Sequence, residues 1–233
     1  MSNNYINLGL IAARSGSKGV PKKNLMKIKG KELVKIAAEV GQQTKEIDYI
    51  ICSTDSDEIA AVAVDSGIDA PFIRPSYLAE DDTPILPVME HAIKWLEANT
   101  KMMIESVTII DPTAPLRTSK DISDVINLFK LKKADLAISV HKCHQNPYFN
   151  MLEKKKDGFY NLPLGMTDNY GSRQSAPDTF AVNTICWVYS RKAILEEKMR
   201  IPKNTIIKEF PENRSIDIDS YEDLKRINIE LST

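Results

Sequence analysis

The chain is 233 residues long and 42% hydrophobic, enough for one large domain with its own core. Lysine and arginine total 31 against 32 acids, so no global field points to nucleic acid. No apolar run approaches the roughly 18–20 residues that cross a bilayer, and the N-terminus shows no secretory pattern, so a cytoplasmic protein without a membrane partner is expected.

The elements then alternate. Ile6–Ala13, "INLGLIAA", is a nearly continuous apolar run, as expected for a strand buried on both faces. In "KELVKIAAEVGQQ", Leu33, Ile36, Ala37 and Val40 fall on one helical face. Asp48–Ser53 is a second strand, and "DEIAAVAVDSG" a helix that Gly67 stops. "PVMEHAIKWL" has an apolar helical pattern that makes His91 a packed or capping residue. Ser106–Asp111 is a third strand. Thr118 and Asp121 form a capping box ahead of a helical face of Ile122, Val125, Ile126 and Phe129.

Ala134–Val140 is a fourth strand. From 141 to 177 the pattern breaks into a polar and aromatic arm, with a hairpin-like turn at "KKKDG". Phe180–Ser190 returns to strand. "RSIDIDSYEDLKRINIEL" reads as a short strand and a helix capped by Ser220 and Asp223. This order predicts one α/β domain over 1–233, doubly wound on a mostly parallel open sheet, with an inserted arm at about 141–177. Ligands of such sheets bind beyond the carboxyl ends of the strands, which places the loop after Ala13, Ser53–Asp55, Asp111 and the residues after Val140 on one rim.

That first loop, "LIAARSGSKGVPKKNL", contains two glycines, four cations (Arg14, Lys18, Lys22, Lys23) and no acid. Glycines let backbone amides approach an anion and cations offset its charge, so the loop points to a polyphosphate. Neither the Walker A spacing nor G-x-G-x-x-G is present. Near the other end, "SIDIDS" projects Asp217 and Asp219 to one face of its predicted strand, with Ile216 and Ile218 turned to the core. Two like carboxylates on one face need solvent, a cation or a metal. Beside a phosphate loop they suit Mg²⁺, which is commonly held by one or two carboxylates and substrate phosphate oxygens.

Other residues point to less. Cys52, Cys143 and Cys186 make neither a disulfide framework nor a CxxC site, and Cys52 and Cys186 read as core. His141 and His144 have no further metal ligand at a recognisable spacing. Trp95 and Trp187 read as core.

"IAARSGSKGVPKKNL", "ICSTD", "RPSYLAEDDT", "DPTAPLR", "SRQ" and "SIDIDSYEDL", in this order along nearly the whole chain, resemble the CMP-sialic acid synthetases (acylneuraminate cytidylyltransferases). CMP-Kdo synthetases are more distant relatives. The resemblance implies a nucleotidyltransferase fold, CTP as donor, Mg²⁺ as cofactor and a homodimer formed through the arm. It implies that Arg14, Ser17, Lys18 and Lys23 hold the triphosphate and that Asn24 and Arg74 contact ribose and cytosine. Asp217 and Asp219 ligate the metal, with Asp217 also a candidate base; Arg14, Lys23 and Asp217 form the catalytic set. Arg173 and Gln174 match acceptor-side positions.

The acceptor side also departs from the sialate pattern. Asp111 stands where that pattern has glutamine, Ala181-Val182-Asn183-Thr184 replaces Arg-Pro-Asn-Gly while keeping Asn183, and Phe149 replaces a lysine. Two lost cations and a gained carboxylate favour a related nonulosonic acid of the legionaminic or pseudaminic type. Asp111 has two readings, a local partner of Arg117 or a lysine, or an acceptor for an N–H of the sugar. Two further functions stand beside the cytidylyltransferase: a glycosyltransferase using a nucleotide-sugar, and a catalytically silent nucleotide-binding protein of the same fold.

Overall fold

The computed structural model describes residues 5–16, 19–163 and 170–232. Among the described residues ten strands form: β1 (Tyr5–Ala12), β2 (Lys27–Ile28), β3 (Lys31–Glu32), β4 (Tyr49–Ser53), β5 (Met103–Ile109), β6 (Leu136–Lys142), β7 (Glu153–Lys154), β8 (Tyr160–Asn161), β9 (Phe180–Ser190) and β10 (Thr205–Glu209). The five α-helices are α1 (Leu33–Gln42), α2 (Asp57–Asp65), α3 (Ile85–Asn99), α4 (Ser119–Lys132) and α5 (Tyr221–Glu230).

Six strands make the main sheet in the order β10-β6-β9-β5-β1-β4. The pairs β1–β4, β1–β5 and β10–β6 are parallel, whereas β9 runs antiparallel to both β5 and β6. The sheet is thus open, mixed and mostly parallel, as expected. The reversed β9 has a consequence for the rim. Its N-terminal end, Phe180–Thr184, lies beside the carboxyl ends of β5 and β6, so the chain re-enters the sheet at the rim after the arm.

Alternation along β1 explains the two cores. Leu8 and Leu10 face a cluster with Met89, Ile93 and Leu96 of α3, while Ile11 faces Val34 and Ala37 of α1, Ile59 of α2 and Ile122 of α4. Helices therefore cover both faces. A third cluster joins Ile28, Leu33, Ile216, Ile218 and Ile227, docking α5 and the segment before it behind the basic loop.

Local signals account for most boundaries. Gly67 has φ +82 after α2, a conformation glycine adopts without a Cβ clash. Thr118–Asp121 and Ser220–Asp223 make full capping boxes. Gly158 (φ +89) closes the turn between β7 and β8 inside the arm. Buried Asn146 ties the arm's entry to its exit: Nδ2 donates to the Pro177 carbonyl at 2.9 Å, and Oδ1 accepts the Tyr148 amide at 2.8 Å.

Two expectations are corrected. Residues 216–219 do not pair as a strand; Ile218 makes a single ladder-like bond, its amide donating to the Thr113 carbonyl at 2.9 Å. The neighbouring segment there is a turn, with no free strand edge to pair with. The alternation still holds in the side chains, with Ile216 and Ile218 buried. Conversely, β10 is a strand that short, mixed "TIIKE" did not announce, formed because the parallel edge of β6 is open to it. Trp95 and Trp187 are half-buried and pack against the Leu8–Leu10 cluster, and Trp187 also forms a cavity wall.

Candidate active site

Two adjoining cavities open at the carboxyl end of the sheet. One, of about 250 Å³, is lined by the basic loop (Arg14, Gly16, Lys23, Asn24), by Arg74, by the 80–83 segment and by Asp111 and Thr113. The other, of about 410 Å³, lies between Pro84–Leu86, Ile109, Asp111, Thr184, Trp187 and Arg200. Asp111 and Ile85 belong to both walls. The first cavity is lined by three cations, Arg14, Lys23 and Arg74, and three carboxylates, Glu80, Asp81 and Asp111; the second has mostly apolar walls with a few polar groups.

The basic loop is clamped to its neighbours. Asp55, beyond β4, accepts from the Ser15 amide at 2.7 Å and from the Ser15 hydroxyl at 2.6 Å. Burial pushes the Asp55 carboxyl up, but these two bonds, a further backbone hydrogen bond and the Arg74 charge together hold it below its ordinary value. Asn24 is buried and donates through Nδ2 to the Arg14 carbonyl at 2.8 Å, which bridges the loop's two ends. Arg14 Nη1 lies 2.7 Å from Asp81 Oδ1, and Lys23 Nζ lies 2.9 Å from Asp219 Oδ1. Ser17 and Lys18 lie outside the described residues.

Arg74 is 4% exposed, with Nε donating to the Ser53 hydroxyl at 3.0 Å and Nη2 to the Ser53 carbonyl. Burial lowers its pKa, partly offset by Asp55. The guanidinium is therefore a fixed part of the cavity wall.

Asp217 is the most perturbed carboxylate. Burial, then the charge of Asp111, pushes its pKa up to about 6, with Asp219 adding to the rise and Thr113 and Lys23 opposing it. Its Oδ1 is buried and has no hydrogen-bond partner. A buried, unpaired carboxylate oxygen beside a second carboxylate is what a cation ligand looks like before the cation arrives. Among the described residues no group of three His, Cys, Asp or Glu side chains could by itself hold a metal ion. Asp217 and Asp219 thus fit Mg²⁺ as a partial donor set that phosphate oxygens would complete.

Asp111 is held by an Asx turn. Its Oδ1 accepts from the Thr113 amide at 3.1 Å and the Thr113 hydroxyl at 2.9 Å. Arg117 does not bond the Asp111 carboxylate; its Nη2 donates to the Asp111 main-chain carbonyl, and its Nη1 to the carbonyls of Thr184 and Ile185, both at 3.1 Å. Fully enclosed, Arg117 has its pKa pushed down by burial to about 10. It straps the loop after β5 to the middle of β9. The "DPTAPLR" motif held this strap in plain view, but only the tertiary packing shows that Arg117 points inward.

The remaining expected residues are placed differently. Asn183 is buried behind the wall, where Nδ2 donates to the Ser215 hydroxyl at 3.0 Å and Oδ1 accepts the Ile185 amide at 3.2 Å. Phe149, Arg173 and Gln174 are exposed on the arm and line neither cavity. Cys52 and Cys186 are buried, and burial raises both thiols to about 12, which leaves them unreactive.

The mostly parallel doubly wound sheet carries the cationic loop at the rim where sheets of this class bind their ligands. Residues 8–232 match the family described as cytidylyltransferase. The chain is 36% identical over 222 residues to the CMP-N,N'-diacetyllegionaminic acid synthase of Campylobacter jejuni, covering 95% of this chain and 93% of that protein. It is 33% identical to the post-translational flagellin modification protein B of Campylobacter coli, covering 92% and 90%. Among solved structures, the CMP:2-keto-3-deoxy-manno-octonic acid synthetase complexed with CTP superposes with a TM-score of 0.70 at 13% identity, covering 97% of this chain and 98% of that one. The 4-diphosphocytidyl-2C-methyl-D-erythritol synthase of Anaerococcus prevotii superposes at 0.68 and 17% identity, covering 98% and 99%, and both share the fold. The chain belongs to the cytidylyltransferase family and is a CTP-dependent nucleotidyltransferase.

Proposed function

We propose that the enzyme couples CTP to a nonulosonic acid of the legionaminic or pseudaminic type, giving the CMP-sugar and pyrophosphate. The observation that carries this reading is the pair of cavities sharing Asp111, one holding Arg14, Lys23 and Arg74 and one largely apolar. The cavity beside the basic loop takes the nucleotide and the apolar one the sugar acid, with the reacting atoms meeting at their common wall. The legionaminate-activating relative, similar along nearly its whole length, supports this choice of acceptor class.

In this reading the sugar's anomeric hydroxyl attacks the α-phosphorus of CTP; the new P–O bond forms as the bond to pyrophosphate breaks. Arg14 and Lys23, with Ser17 and Lys18 of the same loop, offset the triphosphate charge, and Asn24 and Arg74 hold the nucleoside. Asp217 takes the proton of the attacking hydroxyl. Mg²⁺ held by Asp217 and Asp219 would neutralise charge on the phosphates. A homodimer belongs to the same reading: exposed Leu152, Phe159 and Tyr160 on the arm meet a second copy. Phe149, Arg173 and Gln174 of the arm complete the acceptor side.

Pyrophosphate release with CTP, Mg²⁺ and a panel of nonulosonic acids tests the reading. The expected result is release with N,N'-diacetyllegionaminic or pseudaminic acid in preference to N-acetylneuraminic acid. CTP binding without release for any acceptor would overturn it.

A further inference from the structure

The apolar cavity contains a polar group that the protein does not satisfy. Thr184 lines it, and the Thr184 hydroxyl is buried with no hydrogen-bond partner. Native proteins pair nearly all such groups, so an orphan at a cavity wall points to a partner that arrives with the ligand.

Its main chain leaves no room to drift. The Arg117 Nη1 binds the Thr184 carbonyl at 3.1 Å, and one residue earlier the Asn183 carbonyl accepts the Trp187 indole N–H at 2.6 Å. Here β9 departs from regular pairing, since its register against β6 shifts between Ile138 and Val140. The irregularity and the Arg117 strap hold Thr184 at the wall. A rotation about its χ1 exchanges the hydroxyl and methyl positions there.

The other walls are Pro84, Ile85, Leu86, Ile109 and the face of Trp187, with three charged groups: Asp82, Asp111 and the Arg200 guanidinium, 5.7 Å from the Trp187 ring centroid. A hydroxyl on a wall that is mostly apolar suits a ligand group that carries a polar amide and a short hydrocarbon together. Neither a sugar hydroxyl nor a free ammonium offers an apolar part for Ile85 and Leu86 to cover.

We propose that Thr184 is a specificity-determining residue that hydrogen-bonds an acylamido group of the acceptor, whose acyl carbons lie against Ile85, Leu86 and Trp187. This deepens the cytidylyltransferase reading above and rests on it for the identity of the site.

The test reads binding and turnover separately. Wild type, Thr184→Val and Thr184→Ser, each with Trp95→Phe so that Trp187 alone reports, are titrated with N,N'-diacetyllegionaminic acid and with each of its two mono-de-N-acetylated amines. Pyrophosphate release is followed in parallel. Wild type is expected to bind the diacetylated acid about tenfold more tightly than one of the amines, the value of one hydrogen bond. Thr184→Val, close in shape but without the hydroxyl, is expected to lose about that factor and most of the discrimination; Thr184→Ser keeps both. The KM for CTP stays the same in all three. Wild-type affinity and discrimination in Thr184→Val would overturn the proposal, as would failure of wild type to bind any of the three acids. If Thr184→Val does not fold, equal affinity of Thr184→Ser and Thr184→Ala for the diacetylated acid overturns it. Binding as expected without pyrophosphate release would leave Thr184's role standing and overturn the cytidylyltransfer reading.

Discussion

A Cβ on Gly19 would stand 2.1 Å from the main-chain carbonyl oxygen of Asp219, closer than any side chain can lie. The two residues are 200 positions apart in sequence, yet their backbones touch. Lys23 Nζ, 2.9 Å from Asp219 Oδ1, adds an ion pair to the same contact. The basic loop and the paired aspartates are therefore one unit.

Gly19→Ala tests that unit. The atom it would strike is backbone, which cannot swing aside as a side chain can. Overpacking of this kind costs about 1–3 kcal/mol, which for a chain of this size lowers Tm by about 2–10 °C. The KM for CTP is expected to rise about tenfold, because the loop must shift to relieve the clash. Calorimetry and CTP titration check both; an unchanged KM would separate the loop from the nucleotide.

Asp217→Asn should stabilise the metal-free protein while abolishing activity. The folded pKa of Asp217, about 6, lies above its unfolded value, so folding favours the protonated carboxyl. Stability from this group is full below the ordinary aspartate range near pH 4 and is lost as pH rises through about 6. At pH 7.5, therefore, the neutral amide should be more stable by about 1–3 kcal/mol. Added Mg²⁺ with CTP should raise the Tm of wild type and leave that of the variant nearly unmoved. Thermal melts with and without Mg²⁺ decide the point.

Asp111→Gln should move acceptor preference toward N-acetylneuraminic acid. Asp111 lies on the wall of both cavities and stands close enough to raise the pKa of Asp217. Its carboxylate is held by the Thr113 amide and hydroxyl, which a glutamine carbonyl can only partly replace. The expected result is a change in relative kcat/KM among acceptors of about tenfold, with the KM for CTP within about twofold. Acceptor competition assays measure it, and an unaltered profile removes Asp111 from specificity.

Leu152→Asp combined with Phe159→Asp should separate the subunits. The two side chains are 67% and 73% exposed on the arm, where no other part of the described chain covers them. Sedimentation should show a dimer for wild type and a monomer for the variant, with little change in Tm of the main sheet. A monomeric wild type would remove the arm from assembly.

Much of this was legible beforehand. The apolar run of β1, the helical face of α4 and both capping boxes are local patterns, and local patterns need only neighbouring residues to be interpreted. The charge imbalance of the basic loop was equally plain. What was not legible depends on distant partners. β10 forms because β6 leaves an edge, and residues 216–219 stay unpaired because a turn, not a strand, lies beside them. Arg117 reads as a local partner of the Asp111 carboxylate until main-chain carbonyls of Asp111, beyond β5, and of Thr184, on β9, close around it instead.

By itself, then, the sequence determined the alternating architecture, the cationic, glycine-broken character of the first loop and the spacing of two aspartates near the other end. Residue type and spacing suffice for these. The tertiary structure alone decided that β9 runs backward into the sheet, that Asp111 stands between two cavities, and that Thr184 and Asp217 each bury an oxygen with no partner. Burial and hydrogen-bond satisfaction belong to groups brought together across the whole chain, and no local pattern contains them.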